Sequence, residues 1–153
     1  MDRFGALPDE DRGDFFRETS ERMNLEVVLV EKDFWVCWAL KQLYELTAIQ
    51  APLFRGGTSL SKCFSLITRF SEDVDLTLDP SDLDLQAPVP EESDSQKSRR
   101  IKRLRETCRK KVHGEIRDHL EGQFESKLGS RDGWELVAVE GSADPTLAFS
   151  YPP

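Results

Sequence analysis

The sequence predicts an α+β fold in which a small mixed β-sheet of three to five strands carries helices packed on one face. Apolar residues recur every three or four positions before residue 50 and again after residue 100, which is typical of amphipathic helices. Shorter segments after residue 50 and near the end alternate polar and apolar residues, which is typical of strands. With 153 residues, the chain has the length of a single domain.

Composition excludes several classes of protein. The net charge of −8 argues against non-specific coating of nucleic acid, so any such contact must be local. Three cysteines, odd in number and far apart, give neither a disulfide framework nor a zinc knuckle. No apolar run approaches the roughly 20 residues of a membrane helix, and the start lacks the plan of a signal peptide, so we expect a cytoplasmic protein.

Residues 1–50 are predicted to be helical. Pro8 and the acids that follow it mark a helix start, and a longer amphipathic helix is expected over 24–47, with Asn24 as its N-cap. Residues 51–79 are predicted to form the core of the site. A short apolar strand over 51–54 precedes two glycines and a helix, and an alternating strand over 73–79 ends at Pro80.

Residues 80–98 are rich in Pro, Ser, Asp and Glu, and this composition predicts a mobile loop. Over 99–153 we expect a helix with a strongly basic first half and then a hairpin of two strands, 134–140 and 146–151. The basic stretch 97–111 can neutralise RNA phosphates, or it can pair with the protein's own carboxylates or with an antitoxin. His113 and His119 lack the spacing of helical metal ligands and receive no function.

Two carboxylates in the alternating strand form a possible metal site. Residues two apart on a strand point to the same face, so Asp73 and Asp75 can converge on one hard cation or a pair of cations. Mg²⁺ is usually held by one or two protein carboxylates together with substrate phosphates. The alternative is that both are solvated carboxylates, as we expect for the nearby Asp82 and Asp84.

The glycine turn is a possible phosphate site. Gly56, Gly57, Thr58 and Ser59 open a helix, where free N–H groups favour an anion and glycines let a phosphate approach the backbone. The two hydroxyls offer further donors, and Lys62, one turn later, can reach a β- or γ-phosphate. The alternative is a tight turn with Thr58 as the N-cap and a solvated Lys62.

A family resemblance rests on three segments in order, VEKDFWVCWAL, FRGGTSLSKCF and RFSEDVDLTL. They resemble the AbiEii/AbiGii-type nucleotidyltransferase toxin family, a branch of the polymerase-β-like nucleotidyltransferase superfamily. The resemblance covers residues 31–78 and extends loosely over the rest. It implies a nucleotidyltransferase fold and a toxin of a toxin–antitoxin or phage-defence system that transfers a nucleotide from NTP, with tRNA 3′ ends as acceptors and a cognate antitoxin as partner.

The same resemblance implies roles for single residues. Gly57 and Thr58 hold the triphosphate, Asp73 and Asp75 bind one or two Mg²⁺ ions, and Arg69 and Ser71 shape the site between them. A third motif, at residues 31–33 (Glu-Lys-Asp), matches a family helix without an assigned catalytic role, and we interpret it as architectural.

The chain departs from the family in one respect. Such enzymes are expected to carry a further carboxylate on a later strand, and the sequence ends before it, so we expect a chain truncated at the C-terminus. Glu140 and Asp144 are the late acids available as substitutes, although both read more simply as surface residues. The alternative function is therefore a truncated, non-catalytic module of the same fold that binds NTP or an antitoxin.

Overall fold

The computed structural model describes residues 1–64, 73–83 and 91–152. Helices α1 (Asp2–Gly5), α2 (Asp9–Met23) and α3 (Val27–Tyr44) are followed by a unit of strand β1 (Leu53–Arg55), helix α4 (Gly56–Lys62) and strand β2 (Asp75–Thr77). After a 3₁₀ turn at Pro80–Leu83 come α5 (Asp94–Lys111), a π-helical turn (Val112–Ile116) and α6 (Arg117–Leu128), and then strands β3 (Glu135–Val139) and β4 (Thr146–Ser150).

The helix start predicted at Pro8 is confirmed as the start of α2. The prediction that Asn24 is the N-cap of the next helix is wrong. Asn24 is the C-cap of α2, in the left-handed conformation with φ 52°, whereas Glu26 is the N-cap of α3. Asparagine tolerates this conformation better than other non-glycine residues, so the residue that can start one helix here ends the previous one. The helix predicted over 24–47 is accordingly shorter at both ends.

The strands form two separate sheets within the described residues, so the single mixed sheet that we predicted is wrong. β1 pairs antiparallel with β2, and β3 pairs antiparallel with β4. The second pair confirms the predicted hairpin. Residues 140–145 make a short connection between β3 and β4, which closes at low entropic cost, whereas helix α4 lies between β1 and β2.

The prediction of a loop over residues 80–98 is wrong at both of its ends. The 3₁₀ turn occupies Pro80–Leu83, and α5 begins at Asp94. A capping box starts α5: the Gln96 amide donates to the Ser93 hydroxyl, and the Ser93 amide donates to the Gln96 side chain. From there the chain stays helical to Leu128 through the π-helical turn.

The core is aromatic and joins α3, α6 and the β3–β4 sheet. Trp38 packs against Phe124 and Phe149, with ring centroids 4.7 and 5.9 Å away, and Trp35 stacks on Tyr151 at 5.6 Å. The fully buried Gln42 side chain accepts a 2.9 Å hydrogen bond from Gln123, and the Asp2 carboxylate accepts one from Gln42, so a satisfied polar network ties α1 and α6 to α3. No helix among the described residues is both long and apolar enough to cross a membrane.

Candidate active site

The β1–α4–β2 unit brings together the two motifs that the sequence singled out. In the register of the two strands, Arg55 lies opposite Asp75, so the residue that follows Arg55 starts α4 beside that carboxylate. The predicted order of strand, glycine turn and helix, followed by a carboxylate strand, is confirmed. Antiparallel pairing therefore joins residues that are nearly 20 positions apart in the sequence.

Gly56 and Asp75 approach each other closely. Gly56 has φ +77°, which L side chains rarely adopt. A Cβ added to Gly56 would lie 2.9 Å from the Asp75 Cγ and nearer still to Oδ2, so no larger residue fits while the carboxylate stays in place. Glycine is needed here both for its backbone angle and for the space it leaves to Asp75.

The hydroxyls of Thr58 and Ser59 face the protein. Both residues are buried, at 1% and 4% exposure. Thr58 donates to the carbonyl of Asp73, and Ser59 donates to the carbonyl of Gly56 at 2.9 Å. The Thr58 bond ties α4 to the segment that precedes β2, and the Ser59 bond lies within α4. The free donors of this loop are those that a helix start leaves on its backbone. Thr58 is also not the N-cap of the alternative interpretation, because α4 begins at Gly56 with Arg55 as N-cap.

Asp75 begins β2 and Asp73 lies two residues before it, so the strand predicted over 73–79 is shorter at both ends. Residues 73, 75 and 77 are exposed and residues 74, 76 and 78 are partly buried, so the predicted alternation is confirmed. Two carboxylates suit a divalent ion that keeps waters and takes substrate phosphates as further ligands. No group of three or more His, Cys, Asp or Glu side chains within the described residues forms a metal cage.

Lys62 has a partner on α3. Its ammonium group forms an ion pair with Asp33, beside Cys37. Burial raises the pKa of the Cys37 thiol, and the nearby Lys62 charge opposes this rise. Burial also raises the pKa of Glu31, against the opposing charges of Arg12 and Lys32. The contact with Lys62 gives Asp33 an architectural role, linking α3 to α4, and the 31–33 motif therefore has a visible structural reason.

Arg55 is a possible site residue that the sequence reasoning missed. Its side chain is exposed, and residues directly opposite each other in an antiparallel pair have their Cβ atoms about 4.5–5.5 Å apart on the same face. The Arg55 guanidinium can therefore reach the space around Asp75. An arginine directly before a Gly-Gly turn was a visible signal, because a guanidinium binds phosphate bidentately.

The remaining predicted residues lie elsewhere. Arg69, Ser71 and Asp84 fall outside the described residues. Glu140 is exposed, with Oε1 3.9 Å from Nδ1 of His113, and Asp144 is close enough to Cys108 to help raise the pKa of that thiol, after the larger effect of burial. Both acids thus neighbour the end of α5 and the π-helical turn. The His119 Nδ1 lies 2.7 Å from the carbonyl oxygen of Glu115, one turn earlier.

The glycine turn at the start of α4 and the Asp75 carboxylate of β2 thus lie side by side in an α+β chain. A family model described as "Nucleotidyl transferase AbiEii toxin, Type IV TA system" matches residues 38–152. The match covers 115 of 153 residues, and the chain therefore belongs to the AbiEii family of nucleotidyl transferase toxins of type IV toxin–antitoxin systems, as the sequence motifs predicted. No curated protein and no solved structure matches the chain significantly.

Proposed function

We propose that this chain is a metal-dependent nucleotidyltransferase toxin that transfers a nucleotide from NTP to an RNA acceptor, with the 3′ end of tRNA as the target and a cognate antitoxin as partner. The observation that supports the proposal is the close approach of Gly56 to Asp75, because a glycine turn at a helix start suits a phosphate and an adjacent carboxylate suits a divalent ion. Membership of the AbiEii family supports the reaction class. Neither motif alone would support it, because short glycine turns and Asp-x-Asp pairs are common.

In the proposed site, the carboxylates bind the metal, and the backbone and the cations bind the phosphates. Asp73 and Asp75 hold Mg²⁺, which neutralises phosphate charge and braces the triphosphate for in-line attack. Gly56 and Gly57 let the triphosphate approach the backbone at the start of α4, and Thr58 keeps that start fixed to the strand. Arg55 and Lys62 are the nearby cations that can meet the β- and γ-phosphates, although Lys62 must first leave Asp33. Arg69 and Ser71 keep the role that the family resemblance implies for them.

A second candidate is a non-catalytic module that binds NTP or the antitoxin. The observation that favours it is the small number of metal-ligating groups at the site, since within the described residues no third carboxylate joins Asp73 and Asp75. Such a module has the clamp for a nucleotide and lacks the base that deprotonates the acceptor hydroxyl.

Thermal unfolding with Mg²⁺ and each NTP in turn tests the proposal. A ligand at 100 times its Kd stabilises the folded state by about 2.7 kcal/mol, and roughly 2–4 °C in Tm per kcal/mol then gives a rise of about 5–10 °C for a chain of this size. The Asp73→Ala/Asp75→Ala variant should lose the rise. A matched control, Asp118→Ala/Asp132→Ala, removes two other exposed carboxylates and should keep it.

Labelled NTP and RNA then separate the two candidates. Transfer of label to RNA, lost in Asp73→Ala/Asp75→Ala, supports the enzyme. A metal-dependent rise in Tm without transfer supports the binding module instead. If neither the wild-type chain nor the control shows a rise with any NTP, the nucleotide site itself is refuted.

A further inference from the structure

Helix α5 concentrates positive charge in an acidic protein. Its 18 residues hold nine of the 21 Lys and Arg and two of the 29 Asp and Glu. The helix therefore has a net charge of +7, whereas the rest of the chain has −15, and the two together give the net −8. A polyanion is repelled by most of this protein and attracted by one helix.

The first half of α5 is exposed to solvent. No residue of α5 is buried, and residues 93–106 are exposed with the exception of the half-buried Arg100. Among the described elements, α5 packs mainly against the 3₁₀ turn Pro80–Leu83 and against the π-helical turn at its end. Because the 3₁₀ turn directly follows β2, the basic helix lies alongside the segment that leads out of the candidate active site.

Few of these cations are neutralised within the protein. Arg100 pairs with Glu92 and Lys111 with Glu115, at 2.9 and 2.7 Å, while Arg99 and Arg109 donate to backbone carbonyls. The other five cations make no hydrogen bond or ion pair with any residue that the structure describes; they are Lys97, Lys102, Arg103, Arg105 and Lys110. Pairing with the protein's own carboxylates, one of the alternatives open from the sequence, therefore accounts for only two of the nine charges.

A shallow groove on α5 presents part of this free charge. It has a volume of about 360 Å³, and it is lined by Ser98, Ile101, Lys102, Arg105, Glu106 and Arg109. Ile101 and Leu104 are the large apolar side chains exposed on α5, at 37% and 36%. Ile101 gives the groove an apolar patch, but Lys102 lies beside it, and lysine is depleted at the centres of protein–protein interfaces. Phosphate groups, in contrast, need the closely spaced Lys and Arg that it does offer.

We infer that the exposed basic face of α5 binds the phosphate backbone of the RNA acceptor and so positions the RNA beside the candidate active site. The inference rests on the proposed function for the choice of RNA as the polyanion. Contacts of this kind fix the position of a nucleic acid without reading its sequence. The specificity for an acceptor end would then come from elsewhere on the protein, and α5 supplies affinity and orientation.

The test measures binding of a labelled RNA hairpin with a single-stranded 3′ end, over a range of salt concentrations, without metal or NTP. Lys102→Gln/Arg105→Gln removes two free cations of the groove, and glutamine keeps the helix because its helix propensity is similar. If both contact phosphates, the slope of log affinity against log salt falls by about 1.4–1.8, and affinity at 0.15 M salt falls on the order of 15- to 30-fold. The control Arg17→Gln/Arg22→Gln removes the same charge from exposed positions of α2 and should change neither value.

Two outcomes would overturn the inference. One is an affinity and salt slope that stay the same in Lys102→Gln/Arg105→Gln, or fall equally in the α2 control. The other is displacement of the RNA by polyglutamate at equal charge concentration, which would assign α5 to an acidic protein. Since the assay needs neither metal nor NTP, a failure at α5 is distinguished from a failure of the nucleotide site, which the thermal unfolding with Mg²⁺ and NTP tests separately.

Discussion

Replacing Gly56 by alanine should cost more stability than the same change at another glycine of equal backbone conformation. Gly56 and Gly129 have φ of +77° and +80°, and a Cβ on Gly129 would meet nothing within 4 Å. Gly129→Ala should therefore lower the free energy of unfolding only by the cost of the left-handed conformation, about 1–2 kcal/mol. Gly56→Ala carries that cost and also forces Asp75 aside, and overpacking of this kind adds typically about 1–3 kcal/mol.

Urea unfolding followed by circular dichroism measures both free energies of unfolding. We expect Gly56→Ala to be destabilised by about 2–5 kcal/mol in all, the sum of those two costs. We also expect it to lose any rise in Tm with Mg²⁺ and NTP, because the displaced Asp75 no longer faces the glycine turn, whereas Gly129→Ala keeps the rise. Equal destabilisation of the two variants would refute the close approach of Gly56 to Asp75, and with it the observation on which the proposed function rests.

Three further predictions concern single contacts. Thr58→Val should lower the free energy of unfolding by about 0.5–1.5 kcal/mol, because it removes the hydrogen bond that the buried Thr58 hydroxyl donates to the Asp73 carbonyl, and Thr58→Ser should recover most of the loss. A double-mutant cycle of Asp33→Ala and Lys62→Ala should give a coupling of about 0.2–1 kcal/mol that weakens in high salt, since Asp33 is 43% exposed; a coupling insensitive to salt would contradict a screened ion pair. The hydrogen bond from Lys41 lowers the pKa of Asp2 below its ordinary 3.8, so the stability that Asp2 contributes is present above pH 3.8 and is lost as pH falls through the folded pKa. The difference in stability between the wild type and Asp2→Asn should therefore shrink on acid titration, and a constant difference would show that Asp2 acts through packing alone.

The periodic elements could be predicted from the sequence because their periods are properties of the backbone. The spacing of apolar residues identified α3 and the helix through Leu120, and the alternation around Asp75 identified β2. The start of α5 was missed although its capping box is present at Ser93 and Gln96, because its polar composition resembles that of a loop. Residues 94–100 carry no apolar side chain, so hydrophobic periodicity does not detect the first turns of α5.

The pairing of the strands and the direction of the hydroxyls could not be predicted in the same way. Which strands share a sheet depends on contacts between distant segments, so the two separate pairs were not visible in the pattern. The residues of the glycine turn were identified correctly as neighbours of the carboxylate strand, yet Thr58 and Ser59 turn inward. A short hydroxyl side chain readily bonds to a nearby backbone carbonyl, and only the folded geometry decides whether it does.

The aromatic core has a consequence for how this protein can be observed. All three tryptophans belong to that core or pack against it: Trp35 and Trp38 on α3, and Trp134 just before β3. The β1–α4–β2 unit contains none. Intrinsic fluorescence therefore reports the solvation of the core and responds when the whole chain opens, while a rearrangement limited to the glycine turn leaves it nearly unchanged. An extrinsic fluorophore on Cys63, which is exposed at the end of α4, would give the candidate active site a signal of its own.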